Sequence, residues 1–185
     1  MSLEIVIGPM FSGKTSYVYS IVKRYSSIGV SVVVIKPTND KRYSLLPEVV
    51  SHDGVRFECV LSINPLMELD FEVTEAKVII IEEAQFFDDL VPFVRSMVDN
   101  FKKIVIVVGL DGDYNRKPFG TILQCIPFAD KVTKLTALCC RCSDGTPAIF
   151  SHRKVQDRDQ VLIGGADKYE PLCRECYLDQ IKIKK

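Results

Sequence analysis

Residues Gly8-Pro9-Met10-Phe11-Ser12-Gly13-Lys14-Thr15 restrict this chain more than any other stretch. Glycine, four residues, then Gly-Lys-Thr is a phosphate-loop pattern, and it works mechanically only between a strand and a helix. Both neighbours fit. Leu3-Glu4-Ile5-Val6-Ile7 is a short apolar run of the buried-strand kind, and Ser16 to Tyr25 sets Val18, Ile21, Val22 and Tyr25 at helical spacing. In that setting the amides of the turn and the helix N-terminus face phosphate oxygens. Lys14 reaches the outer phosphates, and Thr15 offers its hydroxyl to Mg²⁺. The stretch predicts that a nucleoside triphosphate binds here.

Downstream, strands and helices alternate. Val30 to Ile35 is a β-branched strand, and the polar stretch Lys36 to Tyr43 follows its carboxyl end, where open parallel sheets bind ligands. Ser51-His52-Asp53-Gly54 reads as a turn, Val55 to Val60 as a strand, and Pro65 to Leu69 as a short helix. Val78 to Ile81 is strongly apolar and runs into Glu82-Glu83-Ala84-Gln85. An apolar strand ending in a carboxylate is a Walker B arrangement, with the acid serving Mg²⁺ or its waters. Two successive carboxylates point different ways, so one can serve the metal while the other takes a proton from an attacking hydroxyl. They also suit the N-terminal end of a helix from about Phe87 to Asn100. Lys103 to Val108 is another strand, ending in a long loop to Gly120. In that loop Tyr114 and Phe119 suit a flat ring, and Arg116 and Lys117 suit a transferring phosphate. Thr121 to Ala129 reads as a helix and Lys131 to Leu135 as a strand. The pattern is α/β, a parallel sheet with right-handed crossovers.

From Leu138 the character changes. Cys139-Cys140-Arg141-Cys142 and Cys173-Arg174-Glu175-Cys176 are two C-x-x-C knuckles, which suit tetrahedral Zn²⁺ in a closed structural site. Cys139 with Cys142 mirrors Cys173 with Cys176, leaving Cys140 spare. Cys59 and Cys125 lie in apolar stretches and read as core residues. The chain thus divides into 1–137, a nucleotide-binding core, and 138–185, a zinc-binding domain. The insert Ser143 to Leu172, with Gly164-Gly165, is either a substrate lid or a plain zinc-ribbon hairpin. Lys+Arg and Asp+Glu balance at 24 each, so no global basic field argues for nucleic acid. Without an apolar run of about 20 residues or a signal segment, a cytoplasmic protein away from membranes is expected.

The combination resembles type II thymidine kinases. The matching segments are Gly8 to Thr15, Asp40 to Tyr43, Ser51 to Gly54, Glu83 to Phe87, Arg116 to Gly120, both knuckles and Ile163 to Tyr169, in the family's order. The resemblance implies a RecA-like parallel-sheet core with a small zinc ribbon carrying a lasso loop. It implies transfer of the γ-phosphoryl group of ATP to the 5′-hydroxyl of thymidine, giving dTMP, with Mg²⁺ accompanying ATP and a structural Zn²⁺. Carried onto this sequence, Glu83 is the catalytic base. Gly8 to Thr15, Asp40, Lys41, Arg42, Glu82, Ala84 and Gln85 surround the phosphates and metal. Tyr114, Gln160, Val161, Leu162, Ile163, Gly164 and Tyr169 form the nucleoside pocket, and Cys139, Cys142, Cys173 and Cys176 hold zinc. Family members are typically homotetramers inhibited by dTTP. Two departures stand out. Glu82 occupies a place where Asp is usual, so it is expected to reach Mg²⁺ through water, and Tyr114 stands where Phe is common, so its hydroxyl needs a polar partner. The alternatives are a kinase for another deoxynucleoside and a RecA-like ATPase or nucleic-acid-binding module with a zinc ribbon.

Overall fold

Side-chain alternation on four strands decides the architecture. The computed structural model describes residues 1–38, 48–50, 56–58, 60–62, 65–69 and 75–183, with only the backbone at 48–50, 56–58, 60–62 and 183. Strand β1 (Ser2–Ile7) leads through the phosphate loop into helix α1 (Lys14–Ser26), and β2 (Val32–Pro37) follows. Short strands β3 (Glu48–Val50), β4 (Arg56–Glu58) and β5 (Val60–Ser62) come next, then β6 (Val78–Ile81). Helix α2 (Leu90–Arg95) precedes β7 (Ile104–Gly109), and β8 (Lys131–Lys134) completes the main sheet. Its order is β5-β2-β6-β7-β1-β8, and every adjacent pair is parallel. One strand, β7, stands between the phosphate-loop strand β1 and the carboxylate strand β6, which fits the expected RecA-like core.

Both faces of the sheet are covered, as parallel sheets require. Leu3, Ile5, Val33, Ile35, Ile79, Ile81, Val105 and Val107 point to a core shared with α2 residues Leu90, Phe93 and Val94. The alternate residues Val6, Val34, Val78, Ile80, Ile106 and Val108 pack with Val18 and Ile21 of α1. Cys125 is fully buried on the α2 side, and burial pushes its thiol up to about 11, as expected of a core cysteine.

Three sequence expectations change in detail. The run Val55 to Val60 is divided, since β4 pairs antiparallel with β3 while β5 joins the main sheet beside β2. The expected helix Phe87–Asn100 is α2 followed by one π turn, Ser96–Asn100, closed by Phe101 N–H donating to the Ser96 carbonyl. The stretch Ile122–Phe128 is 3₁₀ rather than α, and Pro127 inside it has no N–H to give.

The C-terminal part is built from short pieces. Strands β9 (Ala137–Leu138) and β10 (Pro147–Ala148) form one antiparallel pair, and β11 (Phe150–Arg153) and β12 (Tyr169–Leu172) another. Helix α3 (Arg174–Ile183) closes the module. Its core is Ala137, Cys139, Ala148, Leu172, Cys173 and Tyr177, and Phe11 of the phosphate loop packs against it.

Candidate active site

The phosphate loop is held from both sides. Gly13, at φ 78°, is the left-handed residue before α1, and Phe11 also lies in the left-handed region at φ 64°. A Cβ at Gly8 would stand 2.5 Å from the Leu135 carbonyl oxygen, so only glycine lets the loop pass the end of β8. Lys14 is buried, and its ammonium donates to the carbonyls of Gly8 (3.1 Å) and Pro9 (2.7 Å). Ser12 Oγ is buried with no hydrogen-bond partner among the described residues. A loop with one buried cation and an orphaned hydroxyl is chemically suited to phosphate oxygens. Asp40, Lys41, Arg42 and the Ser51 to Gly54 turn lie outside the described residues, as does Cys59.

At the end of β6, Glu82 is buried at 3 % exposure, while Glu83 turns into the left-handed region at φ 51°, ψ 42°. Such a backbone costs about 1–3 kcal/mol for a residue with a side chain, and it persists only where neighbours over-determine it. Gln85 does so. Its Nε2 donates to Glu83 Oε2 at 2.6 Å, and its Oε1 accepts the Leu110 amide at 3.0 Å. Two glycines make room. A Cβ at Gly109 would sit 2.4 Å from Gln85 Oε1, and one at Gly120 would sit 2.2 Å from the Gln85 carbonyl oxygen.

Glu83 forms part of the wall of a pocket. Met10 of the phosphate loop borders it, Phe86 and Phe119 line one side with rings 5.5 Å apart at 79°, and segment 160–164 covers it. The pocket therefore brings together Glu83, Tyr114, Tyr169 and Gln160 to Gly164, all singled out in the sequence. Tyr114 finds its polar partner in the Arg158 carbonyl at 3.2 Å. Arg116 does not line this pocket: its guanidinium lies over the rings of Tyr177 (5.0 Å) and Phe150 (5.7 Å), and it lines a second cavity with Pro9 of the phosphate loop and Lys134.

Several pocket residues were not evident in the sequence. Arg153, inside Ser-His-Arg-Lys, looks like part of a solvated charge run, yet it is 2 % exposed and lines the pocket. Asp113 looks like loop polarity, yet it is buried, accepting the amides of Asn115 and Lys117 and, through Oδ2, the Gln160 side chain. Ser151 Oγ accepts the Met10 amide at 2.9 Å, joining the phosphate loop to β11. The signal available was period-two alternation on β11: Ser151 and Arg153 face the pocket, while Phe150 and His152 face Tyr177.

The second face of that hairpin leads to the cysteines. The sulfurs of Cys139, Cys142, Cys173 and Cys176 lie within 4.8 Å of one another, with Cys142 at 3.8 Å from Cys173 and 3.6 Å from Cys176. Four thiolates about 2.3 Å from a tetrahedral zinc have edges of about 3.8 Å, so the set fits that ion. Burial opposes ionisation of Cys139, but amides of Cys173, Cys142 and Arg141 bring its thiol down to about 6, a ready ligand. Cys140 stays out of the cluster: its thiol donates to Glu170 at 3.4 Å, and burial and that carboxylate push it up. Burial also works against Glu170, yet hydrogen bonds from Arg141, His152 and Cys140 hold it below the usual carboxylate range.

A parallel sheet carrying a phosphate loop, with a carboxylate at the wall of an adjoining pocket, defines a P-loop-type core. The family model described as thymidine kinase matches residues 1–177. "Thymidine kinase a" of Arabidopsis thaliana is 45 % identical over 189 aligned positions, 99 % of this chain and 78 % of that protein. The thymidine kinase of Oryza sativa subsp. japonica is 46 % identical over 188, covering 98 % and 68 %, and that of vaccinia virus (strain Western Reserve) 42 % over 177, covering 96 % and 97 %. The chain belongs to the thymidine kinase family. Membership makes it an enzyme of the kinase class.

Proposed function

We propose that the chain transfers the γ-phosphoryl group of ATP to the 5′-hydroxyl of thymidine, giving dTMP. One observation carries this reading: the pocket whose wall includes Glu83 is bordered by Met10 of the phosphate loop and covered by residues 160–164. Donor and acceptor can therefore meet at a single carboxylate.

In this reading Lys14 exchanges its bonds to Gly8 and Pro9 for phosphate oxygens and neutralises charge as it develops. Thr15 and the buried Glu82 would hold Mg²⁺, which supplies further charge stabilisation on the phosphates. Gly8 to Gly13 wrap the triphosphate through backbone amides other than those of Pro9, which has no N–H, and Met10, whose amide donates to Ser151. On family grounds Asp40, Lys41, Arg42, Ala84 and Gln85 serve the same phosphates and metal. Glu83 orients the acceptor hydroxyl and accepts its proton, while Gln85 fixes the carboxylate through Oε2. Phe86 and Phe119 offer faces to a planar base, and Tyr114, Tyr169 and Gln160 to Gly164 close over it. Zinc at the four cysteines performs no chemistry and anchors the hairpin that carries the lid. The proposed division at residue 137/138 falls within β9, whose Ala137 already packs in the C-terminal core, a few residues after the main sheet ends at Lys134. A cytoplasmic homotetramer inhibited by dTTP completes the proposal, on family grounds.

The test is Glu83→Gln. Turnover falls about a hundredfold to ten-thousandfold while thymidine still binds with near-native affinity. Retained turnover would remove Glu83 from the base role.

A further inference from the structure

We propose that Arg153 is a positioning residue for the acceptor pocket, a latch that holds segment 157–164 in place by its carbonyls; this rests on the function proposed above. Arg153 is buried at 2 % exposure. Its guanidinium donates to the carbonyls of Asp157 (3.3 Å), Asp159 and Gln160 (3.0 Å) and to the Tyr169 hydroxyl (2.9 Å). The Asp157 carboxylate lies farther off, at 3.6 Å, and is one-third exposed. The guanidinium also lies 3.8 Å from the Tyr114 ring centroid and 5.4 Å from that of Tyr169.

The same segment is held at two further carbonyls. Tyr169, itself fixed by Arg153, donates to Leu162 at 2.7 Å, and Tyr114 donates to Arg158 at 3.2 Å. Carbonyls 157, 158, 159, 160 and 162 are thus all taken by Arg153 or by the two rings it touches. A lid without helix or strand gains its shape from one planar, five-donor cation. Arg153 and Tyr169 are register partners on β11 and β12, and His152 beside Glu170 turns the opposite face of that hairpin to the zinc module. The latch therefore stands on the hairpin whose opposite face packs toward the cysteine cluster.

Arginine is required by this geometry. Lysine keeps the charge but presents a compact ammonium that cannot span four separate acceptors. In Arg153→Lys we expect KM for thymidine to rise about tenfold or more, kcat to stay within about threefold, and KM for ATP and zinc content to be unchanged. Hydrogen exchange without substrate supplies an arm independent of the chemistry: amides 157–164 exchange about tenfold faster in the variant, while β7 keeps its protection. Unchanged KM for thymidine together with unchanged exchange overturns the latch. A fall in kcat alone also overturns it, by moving Arg153 into the chemical step. Should the unmodified enzyme not phosphorylate thymidine, the functional reading fails, and the exchange arm still decides whether Arg153 orders the segment.

Discussion

At the scale of single residues, the site depends on one strained backbone and the atoms that hold it. Glu83 sits at φ 51° because Gln85 bridges it to Leu110, and Gln85 fits only because Gly109 and Gly120 lack side chains. Gly120 also has φ +61°, so a methyl group there is strained twice. Gly120→Ala is expected to lose about 2–4 kcal/mol of stability by denaturant titration, with turnover falling because Gln85 is displaced. A variant as stable and active as the parent would show that Gln85 does not fix Glu83. Glycine identity in the sequence marks a loop; that a Cβ there would stand 2.2 Å from the carbonyl oxygen of Gln85 could not be read from it.

Among elements, the join of β1, α1 and β8 runs through one carboxylate. Glu4 on β1 accepts Tyr17 of α1 at 2.7 Å and Thr133 of β8 at 3.2 Å, and it pairs with Lys131 at 2.7 Å. Burial works against its ionisation, yet Lys131, Tyr17 and Thr133 together lower Glu4 beneath its ordinary value of 4.5. A lowered carboxylate stabilises the fold above its unfolded value, and that contribution is lost as pH falls through the folded one. Glu4→Gln should therefore be less stable than the parent at pH 7, and the gap should close at pH values below 4.5. Chemical denaturation at both ends checks the sign, and a gap that widens in acid would contradict it. Elements of this kind were largely legible, because β1, β6 and β7 announce themselves by local apolar pattern and the phosphate loop by its glycines. That residues 160–164 line the pocket was one of two readings open to composition, and only the resemblance favoured it. The lid's order comes from Arg153 and Tyr114, and Tyr114 lies 44 positions from the carbonyl it holds. No local period encodes such a pairing.

Over the whole molecule, the two parts meet at the phosphate loop and at the loop that follows β7. Phe11 packs on the core of the cysteine module, Met10 N–H bonds to Ser151, and Tyr177 O–H donates to the Tyr114 carbonyl at 2.6 Å. Loosening the zinc module should therefore disturb both substrates, the nucleoside more. Cys173→Ser is expected to lose zinc by elemental analysis and to raise KM for thymidine about tenfold or more, with a smaller rise for ATP. Full metal content with unchanged KM would mean that the module is a separate appendage. The central claim is that this pocket receives thymidine and this loop delivers the phosphate. The most direct measurement supplies γ-labelled ATP with Mg²⁺ and each of the four deoxynucleosides in turn, following the label by chromatography. Label is expected in dTMP, at least about tenfold faster than in any other monophosphate. Label released only as inorganic phosphate, or carried preferentially to another deoxynucleoside, would contradict it.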